Sequence, residues 1–172
     1  MSKGIMVVAE QNDGVFRKVT FEVLSEGKRI AEALGCPLTA VVLGADIAAS
    51  AEELQAYGPD RILAVEDSQM SDYLTDAYTN ALSALVQQED PGILLFGASV
   101  QGKDLSARVS ARFDAPLATD CVAITCEGGE VAATRPDYGG KLLAKVVLAG
   151  ERRFFSVRPN TAVIVNTGGC LL

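Results

Sequence analysis

Five consecutive apolar residues, Ile5–Ala9, begin the pattern, and no polar position alternates with them. Such a run suits a strand buried on both faces of a parallel sheet. Val23, Leu24, Gly27, Ile30, Ala31 and Leu34 then recur at helical spacing, and Gly35 supplies the residue that commonly closes a helix. Leu38–Leu43 reads as a second buried strand ending at Gly44. Ser50-Ala-Glu-Glu53 has the form of a capping box and predicts a short helix to Tyr57, ended by Gly58-Pro59. Ile62–Val65 is a third strand. Tyr78, Ala81, Leu82, Leu85 and Val86 form a helical stripe stopped by Asp90-Pro91-Gly92. Ile93–Phe96 is a fourth strand, and 103–113 a fourth helix with Leu105, Val109 and Phe113 inward. Strand and helix alternating four times predict an α/β fold: a doubly wound parallel sheet with right-handed crossovers, three-layer α/β/α.

Beyond residue 117 the pattern changes. Leu117–Thr125 reads as one more strand of the main sheet. Val131–Arg135, Leu142–Leu148 and Phe154–Val157 are β-prone runs separated by glycine turns, with no helical spacing between them. They predict an antiparallel β extension over 130–158 at the edge of the sheet. Ala162–Val165 is expected as a further short strand and 166–172 as a frayed tail, the whole of 1–172 forming a single domain.

Composition narrows the chemistry. The 172 residues include no histidine and no tryptophan, which removes Ser–His–Asp and Cys–His hydrolysis and most zinc sites. Cys36, Cys121, Cys126 and Cys170 form no CxxC pair, so neither a metal cage nor a disulfide framework is expected. No apolar run approaches the ~20 residues of a membrane span, and the Ile5–Ala9 stretch is too short for a signal-peptide core. The expected location is therefore cytoplasmic, without membrane insertion. The net charge of −7 argues against nucleic acid as a partner. That charge is uneven: residues 1–96 hold 6 basic and 15 acidic side chains, against 9 and 7 in the remainder.

The sharpest motif is Gly97-Ala-Ser-Val-Gln-Gly-Lys-Asp104, between a strand and a helix. It approaches the phosphate-cradling G-x-x-x-x-G-K-[ST], but Asp104 replaces the hydroxyl that would hold Mg²⁺ and sets a negative charge beside any phosphate. Gly97, Ser99, Gln101, Gly102 and Lys103 remain candidates for an anion or nucleotide loop at a helix N-terminus. The alternative is a tight turn whose Asp104 complements the helix dipole. Glu10 and Asp13, in the loop after the first strand, oppose phosphate there, and no G-x-G-x-x-G occurs. Asp120 is either a helix-capping or turn residue or a site carboxylate. Arg108 and Arg112 lie on one face of the fourth helix. Arg135, Tyr138, Phe155 and Arg158 are candidate interface anchors, because arginine and aromatic side chains are enriched at interface cores.

Several of these segments carry a resemblance. Phe96-Gly-Ala-Ser-Val-Gln-Gly-Lys-Asp-Leu-Ser-Ala-Arg-Val-Ser-Ala-Arg112 with Ala115-Pro-Leu-Ala-Thr-Asp120 resembles the central signature of electron-transfer flavoprotein alpha subunits. Arg135-Pro-Asp-Tyr-Gly-Gly-Lys141, Ser156-Val-Arg-Pro159 and the opening Val-Val-Ala-Glu10 are similar to further segments of that family, in the same order. The resemblance is to the N-terminal domain only and implies a fold like that of adenine-nucleotide alpha-hydrolases. It implies a scaffold for electron transfer that is not itself an enzyme. The resemblance implies that the FAD of the family belongs to a second domain outside the part resembled, so no cofactor is expected in the chain alone beyond weak AMP. The implied partners are a beta-type subunit or a second copy, with dehydrogenases reached indirectly. Remaining alternatives are an adenine-nucleotide-binding module of the same fold and, last, a small nucleotide hydrolase.

Overall fold

A computed structural model describes residues 3–167. In chain order the elements are β1 (Ile5–Ala9), a two-rung hairpin of β2 (Gln11–Asn12) and β3 (Val15–Phe16), α1 (Lys18–Leu34), β4 (Leu38–Gly44), α2 (Ala48–Ala51) continuing as a 3₁₀ turn over Glu52–Tyr57, and β5 (Arg61–Glu66). Then come α3 (Thr75–Glu89), β6 (Ile93–Gly97), α4 (Val100–Arg112), β7 (Leu117–Cys121), β8 (Ala123–Glu127), β9 (Glu130–Asp137), β10 (Leu142–Val147) and β11 (Arg153–Val157). Six strands form the central sheet in the order β5-β4-β1-β6-β11-β7, all parallel. A separate antiparallel sheet has the order β10-β9-β8.

The strands of the sheet centre are apolar on both faces because layers cover both. Val7 and Leu95 pack with Val23, Leu24 and Ile30 of α1 and with Ile124, Val131 and Ala133 of the small sheet. Met6, Leu94 and Phe96 pack with Tyr78, Leu82 and Val86 of α3 and Leu105 and Val109 of α4. One outer layer is therefore α1 plus the small sheet, and the other is α3 with α4.

The largest departure from the sequence pattern is β11. Expected in the antiparallel extension at the edge, it instead runs parallel inside the main sheet, pairing with β6 on one side and β7 on the other. Phe154 and Phe155 point to opposite faces and both are fully buried. Two adjacent large apolar residues suit a strand covered on both sides, and burial stabilises each side chain by about 2–3 kcal/mol. Phe155 is thus a core residue and is not available as an interface anchor. The antiparallel part is confined to 123–147.

Other differences are local. Leu117–Thr125 divides at Val122, β7 staying in the main sheet while β8 joins the small one. Ser50 caps nothing: the second helix starts at Ala48, whose N–H donates to the Glu66 carboxylate of β5 at 2.8 Å. A non-local carboxylate satisfies the free donor that a local cap would otherwise take. Ala162–Val165 pairs with no strand. It crosses α1 as an irregular strap, with the Val165 N–H donating to Ser25 Oγ at 2.8 Å and the Asn160 N–H to the buried Glu22 carboxylate at 2.8 Å. Of the expected frayed tail, Thr167 is tied to the Ala56 carbonyl at 2.7 Å, while 168–172, with Cys170, lie outside the described residues.

Phe155→Ala should cost about 4 kcal/mol of unfolding free energy. Tyr138, 80% exposed, should change stability by no more than about 0.5 kcal/mol when replaced by Ala. Urea unfolding followed by circular dichroism checks both values.

Candidate functional site

The sheet order reverses between β1 and β6, and in open α/β sheets ligands enter at that point, beyond the carboxyl ends of the strands. Two loops meet there: residues 10–17 after β1, and Ala98–Ser99 leading into α4. Glycine sets their approach. An added Cβ at Gly102 would lie 1.9 Å from the Gly97 carbonyl oxygen, and one at Gly97 would lie 2.8 Å from both methyls of Val19. The spacing that imitates a phosphate loop is thus required by close backbone packing.

The centre of the crevice is a carboxylate. Glu10, 6% exposed, accepts a hydrogen bond from Ser99 Oγ and has Arg17 Nε 3.1 Å from its other oxygen. Ser99 Oγ in turn accepts from the Gly102 N–H at 2.9 Å, capping α4. A helix N-terminus attracts anions, and here the nearest anion belongs to the chain itself. The cavity remaining among Val8, Glu10, Phe96, Gly97, Gln101 and Leu105 is about 10 Å³, roughly the room one water requires. Gly97, Gln101 and Gly102 line this space and Ser99 bonds Glu10 at its edge, but Lys103 is not among the groups that face it.

Lys103 turns outward, its Nζ 3.9 Å from Asp120. Asp120 sits at φ 60° where the β7–β11 register shifts. Its N–H donates to Ser156 Oγ at 3.0 Å, and its carboxylate accepts both Nε and Nη2 of Arg158. The register shift aims this carboxylate at the end of β11, as such irregularities often do. The Arg158 hydrogen bonds, aided by the nearby charges of Lys103 and Arg135, hold Asp120 below its ordinary pKa of 3.8 against a smaller effect of burial. Asp120 is therefore neither a turn nor a helix-capping residue but a strand residue at a register irregularity, and the acid of a small basic cluster.

Asp104 is not idle either. It accepts from Tyr73 Oη at 2.7 Å, Thr75 Oγ1 at 3.4 Å and Arg108 Nε at 2.9 Å, joining α4 to the start of α3. The Tyr73 hydrogen bond, followed by that of Arg108, keeps its pKa low. Tyr73 and Thr75 had no signal in the local pattern, since they meet Asp104 only through helix packing. The interface candidates separate: Arg158 is held by Asp120, Arg135 lies 3.3 Å from Asp137, Tyr138 stands in solvent and Phe155 is buried. Arg152, another basic residue of this half, pairs with Asp90 and lies 5.0 Å from the Phe113 ring centroid.

Among the described residues no group of His, Cys, Asp and Glu is arranged to hold a metal, and no helix is long and apolar enough to cross a membrane. The switch-point crevice itself has no room for a dinucleotide such as FAD. Glu10 lies in that crevice and about 10 Å³ remains beside it, while a separate groove of about 500 Å³ runs beside α1, with Arg29 paired to Glu26 at its side.

Fold and crevice together define a doubly wound α/β domain whose ligand position is filled from within. Over residues 5–168 the chain matches the electron transfer flavoprotein domain; it belongs to that family, as an alpha-subunit-like N-terminal domain. It is 40% identical to the protein FixB of Clostridium saccharobutylicum, covering 97% of this chain and 51% of that protein. It is 39% identical to the electron transfer flavoprotein alpha subunit of Clostridium acetobutylicum (91% and 48%) and 35% identical to that of Bacillus subtilis (93% and 49%). The chain thus spans about half the length of the curated relatives it matches. A Listeria monocytogenes structure described as a UDP-N-acetylglucosamine 2-epimerase aligns with a TM-score of 0.50 at 11% identity, covering 70% of this chain and 31% of that one. At that identity the likeness is one of fold alone.

Two outcomes test this geometry. Gly102→Ala should lower stability by about 3 kcal/mol, because neither backbone can yield, and thermal unfolding reads the loss. Asp120→Asn keeps a residue type tolerant of φ 60° and removes the charge. A carboxyl whose folded pKa is depressed stabilises above its unfolded pKa, and that contribution fades as pH falls through the folded value. The variant should therefore melt below the parent at pH 7, with the gap closing as pH drops under about 4.

Proposed function

We propose that the chain acts as the alpha-type scaffold of an electron-transfer flavoprotein, supporting electron flow from dehydrogenases to an acceptor through a flavin held by partner polypeptide. It contributes no catalytic step of its own, docks against a beta-type subunit and works in the cytoplasm. The observation that carries this reading is the Glu10 carboxylate at the switch point, hydrogen-bonded by Ser99 and backed by Arg17. A domain that fills its own ligand position is suited to support, and the family match supplies the setting. Arg158 and Tyr138 belong to the docking face on this reading, with Arg135 at its margin.

The loop Gly97, Ser99, Gln101, Gly102 and Lys103 retains a secondary role. AMP-like ligands reach it only by displacing Glu10, so their dissociation constants should lie in the high micromolar range or weaker. Lys103→Ala should remove that residual binding at unchanged melting temperature, as measured by calorimetric titration.

The full chain, tagged and co-expressed with a beta-type subunit from one of the relatives, should co-elute with it. The chain purified alone should be colourless. Stoichiometric flavin on the chain alone after gel filtration would overturn the reading, as would failure of the beta-type subunit to co-elute.

A further inference from the structure

The small sheet ends in an open edge. β10 pairs with β9 from Leu142↔Asp137 to Val147↔Ala132, and among the described residues no strand pairs with its other side. Residues directly opposite across an antiparallel pair share a face. Val146 lies opposite the fully buried Ala133 and packs toward the core. Leu143, Lys145 and Val147 therefore face outward, and Leu142, Leu143 and Val147 are all more than half exposed. Proteins commonly blunt such edges with lysine. Here Lys141 and Lys145 stand in a segment, 141–147, that has no acidic residue, yet the apolar side chains between them remain uncovered.

A second observation lies at the start of the strand. Seven non-glycine residues among those described have positive φ, and all but one are Asp or Asn, which tolerate it. The other is Tyr138, at φ 50° and 80% exposed, followed by Gly139 and Gly140, also at positive φ. An aromatic ring held in a strained backbone and presented to solvent gains nothing for stability, and strain of this kind gathers at recognition sites.

We propose that the β10 edge accepts an extended strand from a partner protein, carrying acidic residues at alternate positions, with Tyr138 covering one end of it. Main-chain pairing supplies affinity and the alternating side chains supply choice. The two lysines select the occupant: an acidic strand meets them with opposite charge, whereas two copies of β10 would gather four lysines in one ladder. This inference rests on the docking function proposed above and adds how the docking is made.

The test uses the full chain and two soluble carrier-linked heptapeptides, one alternating Val and Glu and the other alternating Val and Lys. Binding is followed by fluorescence anisotropy and by amide hydrogen exchange. The Val/Glu peptide should bind at least about tenfold tighter, a difference of ~1.4 kcal/mol, and should slow exchange within 142–147. K141E/K145E should reverse the preference. Tyr138→Gly should weaken binding with an unchanged or higher melting temperature, which separates recognition from folding. Equal binding of the two peptides, protection elsewhere than β10, or a concentration-dependent dimer abolished by Leu143→Glu would overturn the proposal. A beta-type subunit that still co-elutes with K141E/K145E would sink this docking mode alone. A Val/Glu peptide that binds β10 while no beta-type subunit co-elutes would uphold it and defeat the wider reading.

Discussion

The Glu10 carboxylate joins the two halves of the sheet at the point where their winding directions part. Through Ser99 it reaches the N-terminus of α4, and through Arg17 it holds the approach to α1. Its backbone is fixed as well, the Thr20 hydroxyl accepting from the Glu10 N–H and donating to the Glu10 carbonyl, both at 2.8 Å. A buried carboxylate is costly unless it is paired and hydrogen-bonded; here Oε2 accepts from Ser99, while Oε1 has the Arg17 charge beside it but no hydrogen bond. The small residual space in the crevice follows from it, whereas the Gly97–Gly102 turn is set by close backbone packing and Lys103 is drawn toward Asp120.

Sequence reasoning reached the parallel sheet because its signals are local. Ile5–Ala9 and Ile93–Gly97 are continuous apolar runs, and the αL residues Gly35 and Gly58 end their helices where expected. It failed where a distant group decides. Ser50 looked like a cap, but Glu66 holds the helix start from a neighbouring strand. β11 looked antiparallel because its chain neighbours are, although adjacent Phe154 and Phe155 bear the same mark as β1: no polar alternation, hence two covered faces.

The site was legible in membership and less so in meaning. The pattern set Ser99 and Gly102 at one helix start and flagged Glu10 as hostile to phosphate, but gave no sign that Glu10 would accept from Ser99 or that Lys103 would turn to Asp120. Likewise Asp104, read as a departure from a motif, proves to be the link between α3 and α4. A motif compared with a template shows what differs. Only packing shows what the difference is for.

The insertion of β11 also bears on how the chain reaches this state. β7 has no neighbour in the main sheet except β11, and β11 pairs back to β6 across α4 and the whole small sheet. Pairings between segments so far apart form slowly, since the intervening chain must be ordered before contact repays it. While 117–147 waits, the edge of β6 is open and its apolar faces lack Phe154 and Phe155. β7 thus gains its place in the main sheet only through β11, so the outer third of the sheet depends on one five-residue strand reached across a long intervening chain.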